Sequence, residues 1–321
     1  MSRAAPEISI VVIVYNMPRQ AMNTLLSLST AYQMDIDEAS YEVIVIENRS
    51  ENCLDVARVE SMGPQFRYCL RDEPGVSPAA AINFGLSQAR APVIGLMIDG
   101  ARMLTPGVLK YAREALAIFK SPLIVAPSYD LGSQLQQKSH ETGYDEKEEM
   151  ALLNSIGWPG PGTGYKLFSI AVLGEANDRG YFNPLMEGTC FFAKREHWEA
   201  ISFVDERFQK RGGGALNLNT FRKLGLIPEI QLVILAGEGA FHQFHGGVTT
   251  GNDASIVDSE REFSEELDLF WPGGFNSVRR KPVYLGTVAP EALPFFISSN
   301  KRTLKRFGRL NKLGKKFWED E

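Results

Sequence analysis

The strongest constraint on the fold lies in the first 127 residues, where short β-branched runs alternate with longer amphipathic stretches. That alternation specifies βαβ units and a parallel sheet. The spacing predicts strands at 8–15, 41–47, 65–70, 92–98 and 122–127, with helices at 18–31, 52–61, 77–90 and 105–120. Asn52 and Thr105 read as N-caps, with Pro106 in the first helical turn. Beyond residue 127 the pattern changes. Residues 128–143 are polar, 144–156 read as an acid-rich helix, and the Pro/Gly-rich stretch 157–164 reads as a mobile or substrate-facing loop. Strand character returns at 189–193 and 230–235, with helices from Arg195 and at about 215–224 behind Gly212-Gly213-Gly214.

A chain of 321 residues with 44% hydrophobic residues has enough apolar material for a large core, which excludes a disordered or disulfide-stapled protein. Its longest apolar runs fall short of the roughly 18 residues of a membrane-spanning helix. The N-terminus shows no apolar signal core, and Cys53, Cys69 and Cys190 are odd in number and far apart. A reducing, cytoplasmic setting is the expectation. Charge is unevenly placed. Residues 301–316 carry eight Lys and Arg and no acid; taking these from a net charge of −5 leaves −13 on the remainder. An acidic body argues against a nucleic-acid partner.

Ligands of open parallel sheets sit outside the carboxyl ends of the strands. The residues to inspect there are Tyr15-Asn16, Glu47-Asn48 and Asp99-Gly100. Singly each reads as a turn or cap; in three successive units they read as a site. The turn after the first strand, Tyr15-Asn16-Met17-Pro18-Arg19, has no glycine, and no phosphate loop of the Walker type occurs, so neither a dinucleotide fold nor P-loop hydrolysis is supported.

Four ordered segments carry a family resemblance: 9–16 (SIVVIVYN), 42–50 (EVIVIENRS), 81–85 (AINFG) before a strand ending Met97-Ile98-Asp99, and 203–208 (FVDERF). Together they resemble family 2 glycosyltransferases with a GT-A fold. The resemblance implies an α/β GT-A domain over residues 1–250, with 251–321 as a C-terminal helical extension ending in a basic amphipathic tail. It further implies a nucleotide-diphosphate-sugar donor, inverting transfer to a glycan or lipid-linked acceptor in polysaccharide or glycoconjugate assembly, and a divalent cation, Mn²⁺ or Mg²⁺. The donor-side residues it implies are Tyr15, Asn16, Glu47, Asn83, Asp99, Arg102 and His242, with Asp99 and His245 toward the metal.

Two departures stand out. The D-x-D pattern reads Asp99-Gly100-Ala101, leaving Asp99 to bind ribose or a water-bridged metal and Arg102 to offset phosphate charge. The E-D motif that supplies the base is replaced by 211–219, RGGGALNLN, so Glu187 and Glu238 become the candidates, each also readable as a capping acid.

Half of the four histidines lie in 237–247 (GEGAFHQFHGG). His242 and His245 suit a transition metal or a phosphate; in a continuous strand residues three apart face opposite sides, so both reach one site only if the segment turns. The bland alternative is a buried His beside Phe241 and Phe244. His140 and His197 read as solvated. Gly212-Gly213-Gly214 reads as a phosphate cradle or, with Asn217 and Asn219, as a turn against a sugar. Trp158 reads as a sugar platform or a loop anchor. Leu304, Phe307, Leu310, Leu313 and Phe317 share one face of a basic helix, which suits an anionic membrane surface or docking onto protein. Alternatives to a transferase are a non-catalytic nucleotide-sugar or glycan-binding protein and, more remotely, a nucleotidyltransferase.

Overall fold

A computed structural model describes residues 5–138, 143–177, 179–246 and 253–318. His140 and Gly247 lie outside the described residues. The strands are β1 (Ile8–Val14), β2 (Tyr41–Asn48), β3 (Phe66–Arg71), β4 (Val93–Met97), β5 (Arg102–Leu104), β6 (Pro122–Ala126), β7 (Ser128–Leu131), β8 (Ala171–Leu173), β9 (Cys190–Lys194), β10 (Gln231–Leu235), β11 (Ala240–His242) and β12 (Val283–Leu285). The helices are α1 (Pro18–Ser27), α2 (Val56–Glu60), α3 (Ala79–Gln88), α4 (Val108–Ile118), α5 (Glu146–Ser155), α6 (Arg195–Ala200), α7 (Leu216–Leu226), α8 (Asp253–Phe270) and α9 (Leu293–Lys312).

Eight strands form the main sheet in the order β12-β10-β6-β9-β4-β1-β2-β3. All its neighbours pair in parallel except β9, which runs antiparallel to β4 and β6. Ile8, Ile10, Val12 and Val14 of β1 face one core layer, and Val11 and Ile13 face the other. Both faces are covered, which is why the strand is apolar at nearly every position. Each fully buried Val or Ile contributes roughly 2 kcal/mol. Helix α3 lies close on this sheet: a Cβ on Gly85 would stand 2.5 Å from Val11 Cγ1.

The other four strands make a smaller sheet, β5-β11-β7-β8. Sequence periodicity missed it, because its strands are three or four residues long. Residues 128–131, read as the start of a polar segment, are its strand β7.

Local expectations are corrected elsewhere. Asp55, not Asn52, caps α2, accepting from the backbone N–H of Ala57 and Arg58. The N-cap of α4 is Gly107, so Pro106 precedes the helix. Residues 251–321 are not wholly helical, since β12 adds an edge strand beside β10, and the basic amphipathic tail is the end of α9. Trp158 is buried and meets Tyr32 edge-on at 6.4 Å, so it anchors its loop. His197 is also buried rather than solvated, and burial lowers its pKa. Among the described residues no helix is long and apolar enough to cross a membrane.

Candidate metal and donor site

The site forms where the chain crosses from the large sheet to the small one. After β4 it turns at Asp99-Gly100, with Asp99 Oδ1 accepting the Ala101 N–H at 2.9 Å. A Cβ on Gly100 would lie 2.7 Å from the Ile13 carbonyl, so this turn presses directly on β1. Ala101, at the place of a second D-x-D acid, is fully buried in the core. An acid there would bury an unpaired charge.

Strand β11 pairs antiparallel with β5 and parallel with β7, which sets His242 between Arg102 and Asp130. The strand ends at His242, and residues 243–245 leave the strand and turn. That turn brings both imidazoles to one place. His242 Nε2 lies 2.9 Å and His245 Nε2 3.6 Å from Asp99 Oδ2, and the two Nε2 atoms are 3.0 Å apart. The three donor atoms fall within 4.8 Å of one another, a set that fits a divalent cation. Burial opposes the Asp99 charge, yet the two imidazoles hold its carboxyl well below the usual range. Burial, then Arg102, lowers the His242 pKa. Ionised carboxylate and neutral imidazole are the metal-binding forms.

Arg102 stands beside this cluster. Its Nε is 3.8 Å from Asp99 Oδ2 and has no hydrogen-bond partner, while one Nη donates to Ser128 at 3.2 Å. The Arg102 charge acts on Glu187, whose carboxylate accepts from Asn217 Nδ2 at 2.6 Å. Burial nevertheless raises the Glu187 pKa. On the open rim, Tyr15 is 57% exposed and Asn16 adopts φ 53° at the end of β1.

Three sequence candidates fall elsewhere. Glu47 is fully buried; it accepts from Leu54 N–H at 3.0 Å and Tyr68 O–H at 2.6 Å, fixing the loop after β2. Asn83 pairs with the backbone N–H and C=O of Val204, tying α3 to the segment before α7. Glu238 is also fully buried, accepting from Thr105 Oγ1 at 2.5 Å, Gly107 N–H at 3.0 Å and Tyr165 O–H at 2.8 Å. It fastens the start of α4 and is no acceptor-facing base. The N–H of Ala215, just before α7, donates to Glu266 at 2.8 Å. The protein's own carboxylate thus occupies the position that the glycine run would offer a phosphate.

Sequence reasoning missed the groups that hold the histidine loop. Gln20 Nε2 donates to the Phe244 carbonyl at 2.6 Å, and Asn23 Nδ2 to Gln243 Oε1 at 2.8 Å. Buried Glu149 accepts the Phe244 N–H at 2.6 Å and Arg19 Nη2 at 2.8 Å. Asp130, 3.9 Å from His242 Nδ1, was missed as well. No local signal marks these residues, because their partners are distant in sequence.

Residues 9–99 match the model of glycosyl transferase family 2, a stretch that closes on Asp99. Residues 9–99 thus carry a family 2 glycosyltransferase likeness, and they form the first part of a mostly parallel α/β sheet. Comparison with curated proteins found no match. Among solved structures it is similar to S. aureus TarS (11% identity, TM-score 0.48), covering 82% of this chain and 40% of that one. It therefore spans less than half of that protein. It is also similar to TarS residues 1–349 (14%, TM-score 0.49; 92% and 79% covered). A third likeness is to the mannosyltransferase PcManGT from Pyrobaculum calidifontis in complex with GDP-Man and Mn²⁺ (14%, TM-score 0.49; 94% and 70% covered).

Proposed function

We propose that the protein transfers a sugar, with inversion, from a nucleotide-diphosphate donor to a hydroxyl of a glycan or lipid-linked acceptor, in polysaccharide or glycoconjugate assembly. The convergence of Asp99, His242 and His245 at the strand ends, directly behind the family-matched stretch, carries this reading. These residues would hold a divalent cation, which when bound neutralises charge on the leaving diphosphate. Two imidazoles favour a transition ion such as Mn²⁺ over Mg²⁺. Arg102 adds positive charge on the same side, and Tyr15 and Asn16 offer an exposed rim for the base. Glu187 is the proton acceptor: burial raises its pKa, which makes its carboxylate a stronger base than a solvated one. A reducing, cytoplasmic setting accords with the three free cysteines.

A panel of nucleotide sugars titrated calorimetrically with and without Mn²⁺, followed by donor hydrolysis, tests the proposal. Mn²⁺-dependent binding with turnover is expected. Glu187→Gln should keep donor binding and lower kcat by about 10² or more. Binding without turnover would favour a non-catalytic nucleotide-sugar binder, a reading that the absence of a carboxylate from residues 211–219 supports. Binding of no donor would remove both.

A further inference from the structure

Helix α9 has two apolar faces, and only one is covered. Its inner face carries Phe296, Ser299, Arg306 and Leu310, at spacings of three, seven and four. Phe296 packs on Tyr181 at 4.6 Å, Ser299 accepts the Tyr181 N–H at 3.2 Å, and Ser299, Arg306 and Leu310 are buried. The helix is therefore fixed to the body by this side. The outward side carries Leu293, Ile297, Leu304 and Phe307, followed by Leu313, all 50–63% exposed. These are five of the fourteen exposed large hydrophobic residues among those described, gathered within 21 positions, whereas the rest are scattered over other elements. Leu310, read from sequence as part of the same stripe, belongs to the inner face.

Charge names the occupant. Lys301, Lys305 and Lys312 run beside the apolar stripe at spacings of four and seven, and with Arg302 and Arg309 they are exposed. Among the described residues none of these five cations pairs with an acid. A surface that meets this face must offer apolar depth and negative charge together. The acidic body of a second copy offers charge but no matching apolar patch, since its remaining exposed hydrophobics are dispersed. A bilayer with anionic headgroups supplies both, with lysines reaching headgroups while Leu and Phe enter the acyl boundary.

We propose that α9 docks the protein on an anionic lipid surface through Leu293, Ile297, Leu304 and Phe307, with Lys301, Lys305 and Lys312 on the headgroups. Phe295, Ser298 and Arg302 of the same helix border a groove whose other wall is Gln134, Leu135 and Lys138. That wall follows β7, in the segment whose Gln136 donates to the His242 carbonyl at 2.7 Å. The inference stands apart from the transferase reading, since it needs no donor.

Vesicle flotation of the full chain tests it. The protein should float with vesicles of phosphatidylcholine plus phosphatidylglycerol, stay behind with phosphatidylcholine alone, and be released by salt. Leu304→Glu with Phe307→Glu, both at exposed positions, should abolish flotation without changing the melting temperature. Replacing Lys301, Lys305 and Lys312 by Ala should weaken partitioning on the order of a hundredfold. Absence of flotation on anionic vesicles would overturn the proposal. So would unchanged flotation of the glutamate variant, or a dimer in sedimentation that the same variant dissociates.

Discussion

The chain crosses from the large sheet to the small one at two glycine-containing turns, each carrying one carboxylate: Asp99 between β4 and β5, and Glu238 between β10 and β11. From composition the two are interchangeable, and their fates differ. Asp99 stays partly open, with a side chain 18% exposed and two imidazoles converging on one oxygen. Glu238 is closed in by Thr105, Gly107 and Tyr165, which satisfy both its oxygens with neutral donors. A carboxylate met by imidazoles at a rim has the make-up of a ligand set; one met by hydroxyl and amide donors in the core is a fastening.

Replacing His242 by Ala should break the contrast at its open end. It removes one of three donors and should lower Mn²⁺ affinity by a hundredfold or more, read by calorimetry or by the Mn²⁺ paramagnetic resonance signal. An unchanged affinity would mean that the cluster is not the metal site.

The closed end should show itself through pH. Burial pushes the Glu238 pKa from 4.5 up to about 7. The folded state therefore favours its protonated form. Its contribution is complete below pH 4.5 and is lost as pH rises through 7, by up to about 3 kcal/mol. Denaturation of the wild type and of Glu238→Gln across this range should give a stability difference that falls with pH. A flat difference would show that Glu238 does not titrate as a buried carboxyl.

A smaller effect sharpens how the open end is held. Glu149 touches no candidate ligand but fixes the Phe244 N–H between His242 and His245. Glu149→Gln should weaken Mn²⁺ binding about tenfold while leaving the fold intact. Glu149→Ala should weaken it further. Equal metal affinity in all three proteins would reduce Glu149 to a packing role.

Legibility followed the same division. Strands β1, β2, β4, β6 and β10 were readable because burial on two faces demands continuous apolar runs. Strands β5, β7, β8 and β11 were not, because short strands leave too few residues to establish a period. Asp130, which no sequence reading singled out, lies on such a strand. Asp99 was legible as an acid at a strand end, Arg102 as the charge beside it, and His242 and His245 as parts of one dense segment. The opposite placements of Glu47, Asn83 and Glu238 were not, because what each touches lies elsewhere in the chain.

The sequence by itself determined a parallel α/β platform, a family likeness through Asp99, and a basic helix at the end, since each is written in local pattern and composition. Tertiary structure alone decided that His242 and His245 meet Asp99, that Glu238 is spent on α4, and that one apolar face of α9 remains uncovered. Those outcomes depend on which distant groups arrive beside each side chain and whether water is left there, and no local pattern encodes either.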